Sequence, residues 1–270
     1  MQALVVTTTI DEVELASDVL WSLGVVAIEE RITGDIVELW TSIGDDPDVV
    51  WDTASQRLGR WSWRFVEIDE SVADTWREHA APVYVETDLV ICPAWVAFDP
   101  GPDVTVLRIE PGSTFGLGDH PTTMLSMQAM RDALFDGASV LDVGCGSGVL
   151  AVGACVLGAS HSTAIDISPA SVPVTRANAI ANGVSHRVDV STTPLAEVDG
   201  TFDIVVANIL APTLIELAED LRRVVAPSGV LIISGVLAER HDHVEAALLP
   251  LRRTRRKTMD GWAAVTLAAP

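Results

Sequence analysis

Val140-Leu141-Asp142-Val143-Gly144-Cys145-Gly146-Ser147-Gly148 carries an apolar strand into a turn with glycine at every second position. Glycine lets the backbone bend where a Cβ would clash, and it lets a ligand approach the chain closely. An apolar run from about Gly148 to Leu157 follows at once and reads as a helix. The N-terminus of a helix placed there offers unpaired N–H groups to a carboxylate or phosphate. The next strand, Ser162 to Ile167, carries an acid, Asp166, at its end, eighteen residues beyond Gly148. An acid at that place can accept both hydroxyls of a ribose. Strand, glycine turn, helix and acid in this order describe a nucleoside-binding α/β unit.

Two ligand classes fit that outline. A dinucleotide fingerprint needs a third glycine where this chain has Val149, so a nicotinamide oxidoreductase is disfavoured. The observed spacing, with Asp142 two residues ahead of Gly144, resembles the loop of class I S-adenosylmethionine methyltransferases. The ligand of that class brings a carboxylate and an ammonium in place of a pyrophosphate. Gly144, Gly146 and Gly148 would then admit its methionine end, and Asp142 would help to hold the ammonium. A non-catalytic module that has kept the cofactor pocket is the rival from a different class.

Working outward, residues 122–134 read as a helix and Arg187–Ser191 and Phe202–Asn208 as strands. Helices are expected over Pro169–Asn182, Ala211–Val225 and Ala238–Leu249, and further strands over Gly229–Ser234 and Gly261–Ala268. Strands alternating with helices mean a largely parallel sheet covered on both faces. Ahead of this, residues 1–68 read as strand, helix, strand, strand, helix, strand, the split unit of a ferredoxin-like α+β domain. Its second helix is expected from Asp46 to Leu58. Residues 69–110 read as a linker: a short helix bearing Trp76 as a hydrophobic anchor, then short strands broken by Pro93, Pro100 and Pro102. Residues 111–270 form the cofactor-binding domain.

Phe115-Gly116-Leu117-Gly118-Asp119-His120-Pro121-Thr122-Thr123 resembles the segment ahead of the first strand in ribosomal protein L11 methyltransferases, the PrmA family. Asp166-Ile167-Ser168-Pro169, Ala177-Asn178-Ala179, Asn182-Gly183-Val184, Val206-Ala207-Asn208-Ile209-Leu210-Ala211 and Ser234-Gly235-Val236-Leu237 are similar to later stretches of that family. The resemblance covers nearly the whole chain. It implies a Rossmann-like seven-stranded methyltransferase sheet preceded by a small ferredoxin-like domain that holds the substrate. It implies S-adenosylmethionine as cofactor, with Thr123, Gly144, Asp166 and Asn208 in contact with it. The implied activity is protein N-methylation on lysine ε-amino or α-amino groups, with a large-subunit ribosomal protein as target; another protein or a small amine is the alternative. The family usually has small or hydroxyl residues where Leu117 and Asp119 stand here, which bears on the target more than on the chemistry.

Each implied role is chemically sound. Asn208 ends the fourth strand, where open sheets of this kind bind ligands, and its amide both donates and accepts. Thr123 brings a hydroxyl over the pocket. His120 beside Pro121 is a candidate general base and equally a helix cap. Asn208 and His120 are the two candidate catalytic residues.

The three cysteines, Cys92, Cys145 and Cys155, fit neither a metal knuckle nor a disulfide framework, and no metal site is expected. Acidic residues number 38 against 17 basic ones, a formal charge of -21, and Lys257 is the single lysine. Such a surface repels nucleic acid and anionic membranes and attracts a basic protein. No apolar run is long enough to span a membrane and no export signal opens the chain, so a cytoplasmic location is expected.

Overall fold

The computed structural model describes residues 2–21, 28–42, 57–67, 77, 80–112, 114, 117–239 and 241–269. The chain divides into two compact units, Met1–Ala80 and Ala81–Pro270.

The first unit holds β1 (Gln2–Thr9), a 3-10 turn at Ile10–Glu12, α1 (Val13–Trp21), β2 (Glu29–Thr33), β3 (Ile36–Ser42) and β4 (Ser62–Glu67). Its strands form an antiparallel sheet in the order β2-β3-β1-β4. Alternation along β1 and β3 sends Leu4, Val6, Val37 and Leu39 to one face, where Ala16 and Leu20 of α1 meet them. Trp61 ties the start of β4 to Glu12, its Nε1–H donating to Oε2 at 2.9 Å. Most of the helix expected over Asp46–Leu58, and Trp76, lie outside the described residues.

The second unit opens with β5 (Val83–Glu86), β6 (Leu89–Pro93) and β7 (Thr105–Ile109), a small sheet of its own. These strands are more than a linker: Leu89, Ile91, Leu107 and Ile109 are buried in one core with Leu125 and Met127. That burial is why the boundary between compact units falls at residue 80, not at 110.

Then come α2 (Pro121–Ala133), β8 (Ser139–Val143), α3 (Val149–Val156), β9 (His161–Ile165), α4 (Ser171–Ala181), β10 (Val188–Ser191) and β11 (Phe202–Asn208). The chain continues through α5 (Ala211–Glu216), α6 (Ala218–Arg223), β12 (Val225–Leu237), α7 (Asp242–Ala247), β13 (Arg252–Met259) and β14 (Trp262–Ala268). The main sheet has the order β10-β9-β8-β11-β12-β14-β13. Strands β8 to β12 run parallel, while β14 pairs antiparallel with both β12 and β13. It is a mixed α/β sheet. Val140, Val206 and Ile232 pack to one face, and Leu141, Val205 and Ile233 to the other. Burial on both faces explains why these strands read as continuous apolar runs.

Three sequence readings change here. The single helix expected over Ala211–Val225 is two short helices that meet at Leu217, whose ψ of 5° leaves the helical range. The strand expected over Gly229–Ser234 runs from Val225 to Leu237, with a register shift between Ile233 and Val236. An edge strand, β13, forms over a stretch given no element at all.

Topology fixes where a ligand can sit. From β8 the chain moves outward through β9 to β10, then returns to β11 on the other side of β8. Open α/β sheets form their crevice at such a switch point, beyond the carboxyl ends of the two diverging strands. Here those ends are Gly144 and Asn208.

Candidate functional site

The turn after β8 is built from three left-handed glycines: Gly144 (φ 76°), Gly146 (φ 53°) and Gly148 (φ 76°). Side-chain-bearing residues are strained in this region. Space adds a second demand at Gly148, where a Cβ would lie 2.5 Å from Thr175 Cγ2. The backbone of the turn is tied to the end of β9, with Gly144 N–H and Cys145 N–H both donating to Ile165 O at 2.9 and 3.1 Å.

Two carboxylates complete the turn. Asp166 Oδ2 accepts from Gly146 N–H at 2.8 Å, and its Oδ1 accepts from Ser168 N–H at 2.8 Å. Each oxygen keeps a lone pair for a ligand hydroxyl. Asp142 is 1% exposed and its Oδ2 accepts from Ala151 N–H in the first turn of α3 at 3.0 Å. Burial pushes its carboxyl up to about 7, and the nearby Asp166 charge adds to the rise. Asp142 therefore braces the loop from below instead of lining open pocket wall. The helix start that looked available to an anion already has its Ala151 N–H taken by a carboxylate.

Ile167, next to Asp166, is 95% exposed. Sequence reading gave this bare apolar side chain no role. It also passed over Asn178, which is buried on α4. Its Nδ2 donates to Ser147 O and to Glu110 O, both at 2.9 Å, and its Oδ1 accepts from Glu110 N–H at 2.9 Å. Asn182, one helical turn on, makes the same pair of bonds to Arg108. Two amides at i and i+4 thus pin the chain of β7 and carry one contact into the glycine turn.

The other wall comes from α2 and the ends of β11 and β12. His120 is the N-cap of α2: its Nδ1 accepts from Thr122 N–H at 3.3 Å and lies 2.7 Å from Thr122 Oγ1. Its ring packs edge-on to Trp262 at 5.3 Å. Burial holds its pKa below the usual histidine value, against a smaller upward pull from Asp119. Of the two readings of His120, the cap is the one the geometry displays, since Nδ1 is already engaged. Thr123 is buried, with its N–H donating to His120 O. Thr122 O receives Ser234 Oγ at 3.2 Å, which anchors α2 to β12.

Asn208 is paired in register with Ser234. Its side-chain Oδ1 is buried and finds no hydrogen-bond partner among the described residues. A buried amide oxygen without a partner carries a free-energy penalty of about 1–3 kcal/mol, which a bound N–H or O–H donor would relieve. Asn208, Asp166 and the glycine turn converge at the switch point. Asp142 lies beneath them, and His120 and Thr123 frame the far side through α2.

Comparison with known proteins places the chain in one family. The family described as ribosomal protein L11 methyltransferase (PrmA) matches residues 35–269. A ribosomal protein L11 methyltransferase of Geobacter metallireducens is 46% identical over 65% of this chain and 58% of its own length. Another, from Geotalea daltonii, is 39% identical over 73% of this chain and 67% of its own. The chain thus spans about three fifths to two thirds of the curated relatives it matches. The crystal structure of a ribosomal protein L11 methylase from Lactobacillus delbrueckii subsp. bulgaricus superposes with a TM-score of 0.65 at 33% identity, over 70% of this chain and 97% of that one. Among the described residues no helix is long and apolar enough to cross a membrane.

Proposed function

This chain belongs to the ribosomal protein L11 methyltransferase family, and on that premise we propose that it is an S-adenosylmethionine-dependent protein N-methyltransferase. Its targets are lysine ε-amino groups, α-amino groups or both, and the protein that carries them is ribosomal protein L11. The first unit, with its strand order β2-β3-β1-β4, is read as a ferredoxin-like domain that holds this target.

One observation carries the choice of cofactor. The N–H groups of Gly146 and Ala151 are both taken by carboxylates, Asp166 and Asp142. Two acids at the loop repel a pyrophosphate and suit a ligand that carries an ammonium and a sulfonium. The residues present fit such a group: Asp166 for the ribose hydroxyls, Ile167 for the base, Gly144–Gly148 for the methionine end, and Thr123 and Asn208 across from them.

S-adenosylmethionine, when bound, supplies an electrophilic methyl group on sulfur. The protein's work is to present a neutral amine to it in line. Asn208 Oδ1 accepts one N–H of that amine and so turns its lone pair toward the donor. Asp119, exposed beside His120, draws the target ammonium to the mouth of the site. A site poor in water would lower the affinity of the amine for its proton.

The test is transfer of tritium from methyl-labelled S-adenosylmethionine to purified ribosomal protein L11, with Asp166→Ala as control. A labelled band that disappears in the variant, together with its donor binding, supports the proposal. Label on another lysate protein alone moves the target and keeps the chemistry. Donor binding without transfer to any protein would leave a binding module as the reading.

A further inference from the structure

We propose that Ile209 is a positioning residue for methyl transfer, a rigid spacer that fixes the Asn208 amide relative to the glycine turn. This rests on the methyltransferase reading of the site. The argument begins with two glycines. β11 lies between β8 and β12 in the sheet. As the chain leaves β11 it meets Gly144 on one flank and Gly235 on the other. A Cβ at Gly144 would lie 2.5 Å from Ile209 Cγ2. A Cβ at Gly235 would lie 2.6 Å from Ile209 O, 3.0 Å from its carbonyl carbon and 3.3 Å from its N. The side chain of Ile209 is thus seated on one glycine and its backbone on the other. Gly144 is needed for this seat as well as for its φ of 76°, so its place in the motif serves Asn208–Ile209 as much as a ligand.

The neighbouring Asn208 needs such a restraint. Its Oδ1 makes no hydrogen bond among the described residues, and the terminal torsion of an asparagine is soft. In the absence of a bond to that oxygen, its direction depends on the backbone that Ile209 holds. Ile209 is in turn anchored against the apolar core on the α5 side of the sheet. A β-branched residue suits this work because its branch at Cβ restricts χ1. The atom that touches the glycine turn, Cγ2, is part of that branch.

This separates a spacer from ordinary packing. Valine keeps Cγ2 and loses only the terminal methyl. Leucine and methionine keep the bulk but place no methyl on Cβ. Volume-conserving apolar swaps and the loss of one methyl have similar modest costs in cores, so bulk packing alone predicts that Ile209→Leu and Ile209→Val perform alike. The spacer predicts that Val performs far better than Leu.

The experiment measures kcat on whichever protein the wild type labels, donor affinity by calorimetry, and thermal midpoints, for Ile209→Val, →Leu and →Met. A misplacement of about 1 Å costs on the order of 100-fold in rate. The expected result is therefore a fall in kcat of roughly 30-fold or more for Leu and Met, with Val within about threefold of wild type. Donor affinity should stay within about threefold in all three, and at least one of Leu and Met should melt close to wild type. Full kcat in the Leu and Met variants overturns the proposal. So does a loss of kcat matched by an equal loss of donor affinity or by a collapse in melting temperature for both. Absence of transfer by the wild type overturns the methyltransferase reading itself, which the variants then cannot rescue.

Discussion

Replacing Asp142 by Asn should make the protein more stable, and by an amount that grows with pH. Asp142 is buried, and its carboxyl titrates at about 7 in the fold against 3.8 when exposed. Below pH 3.8 both states hold the proton, and the group is neutral in its effect. As pH rises from 3.8 to 7 the unfolded chain ionises and the folded chain does not, so stability falls. Above 7 both are ionised and the loss is complete. Three pKa units correspond to about 4 kcal/mol, of which more than half is spread between pH 5 and pH 8. Asparagine keeps an oxygen for the Ala151 N–H bond and never ionises. Urea unfolding of wild type and Asp142→Asn at pH 5, 6, 7 and 8 should therefore give a difference that widens by about 2–3 kcal/mol in favour of the variant. A difference that stays flat over that range refutes the reasoning. The same group predicts a cost: a bound ammonium favours ionised Asp142, so donor binding near pH 6.5 should release a proton in the wild type and none in the variant. Calorimetry in two buffers of different ionisation enthalpy reads that directly.

Other expectations are more local. His120→Ala should cost about 1 kcal/mol through the lost N-cap, and His120→Asn, which can cap α2, should lose less than half of that; equal losses would remove the cap from the account. Asn178→Ala deletes three hydrogen bonds, two part-buried ones to Glu110 and a buried one to Ser147, and should destabilise by about 3 kcal/mol while also weakening donor binding. Chemical denaturation with a donor titration checks both parts. A net charge of -21 facing a basic target should make association fall about tenfold from 50 to 300 mM salt; stopped-flow mixing with ribosomal protein L11 would expose a salt-independent rate.

The parts of the fold that were legible in the sequence are those whose signal is local. β8 and β11 match their sequence ranges because a parallel strand buried on both faces has to be apolar throughout. The glycine turn was legible because its left-handed backbone needs glycine at Gly144, Gly146 and Gly148. β13 was missed for the opposite reason. Its sequence, Arg252-Arg253-Thr254-Arg255-Arg256-Lys257-Thr258-Met259, has no apolar alternation, and a register shift beside Thr254 breaks its period. It is a strand because it pairs antiparallel with β14, while its side chains take partners far off in sequence: Arg255 and Lys257 reach Asp132 on α2, more than a hundred residues back, and Arg253 reaches Glu245 on α7. Distance in sequence also hid the roles of Gly144 and Asn178. One makes room for a side chain 65 positions on, and the other binds a backbone 68 positions back. The depth of Asp142 was not legible, since only the packing of α3 over β8 shows that its carboxyl is inside.

The rate of transfer should carry the signature of a reaction with no dedicated protein base. A lysine ammonium has a pKa near 10.4 and must lose its proton before it attacks. His120 would be the natural acceptor, but its Nδ1 is committed to the cap of α2. Asn208 Oδ1 can receive a hydrogen bond yet cannot take up a proton. Carboxylates lie about six units below lysine in basicity and hold the ammonium instead of discharging it. The proton then leaves to water before the amine settles against Asn208, and only the neutral fraction reacts. That fraction grows tenfold per pH unit below the amine's own pKa, so kcat/KM should rise with a slope of one from pH 6 to pH 8.5. His120→Asn should leave the slope unchanged and shift the line by less than about threefold. A plateau within that window, with a break that vanishes in His120→Asn, would restore histidine as the base and reduce its capping bond to a resting arrangement.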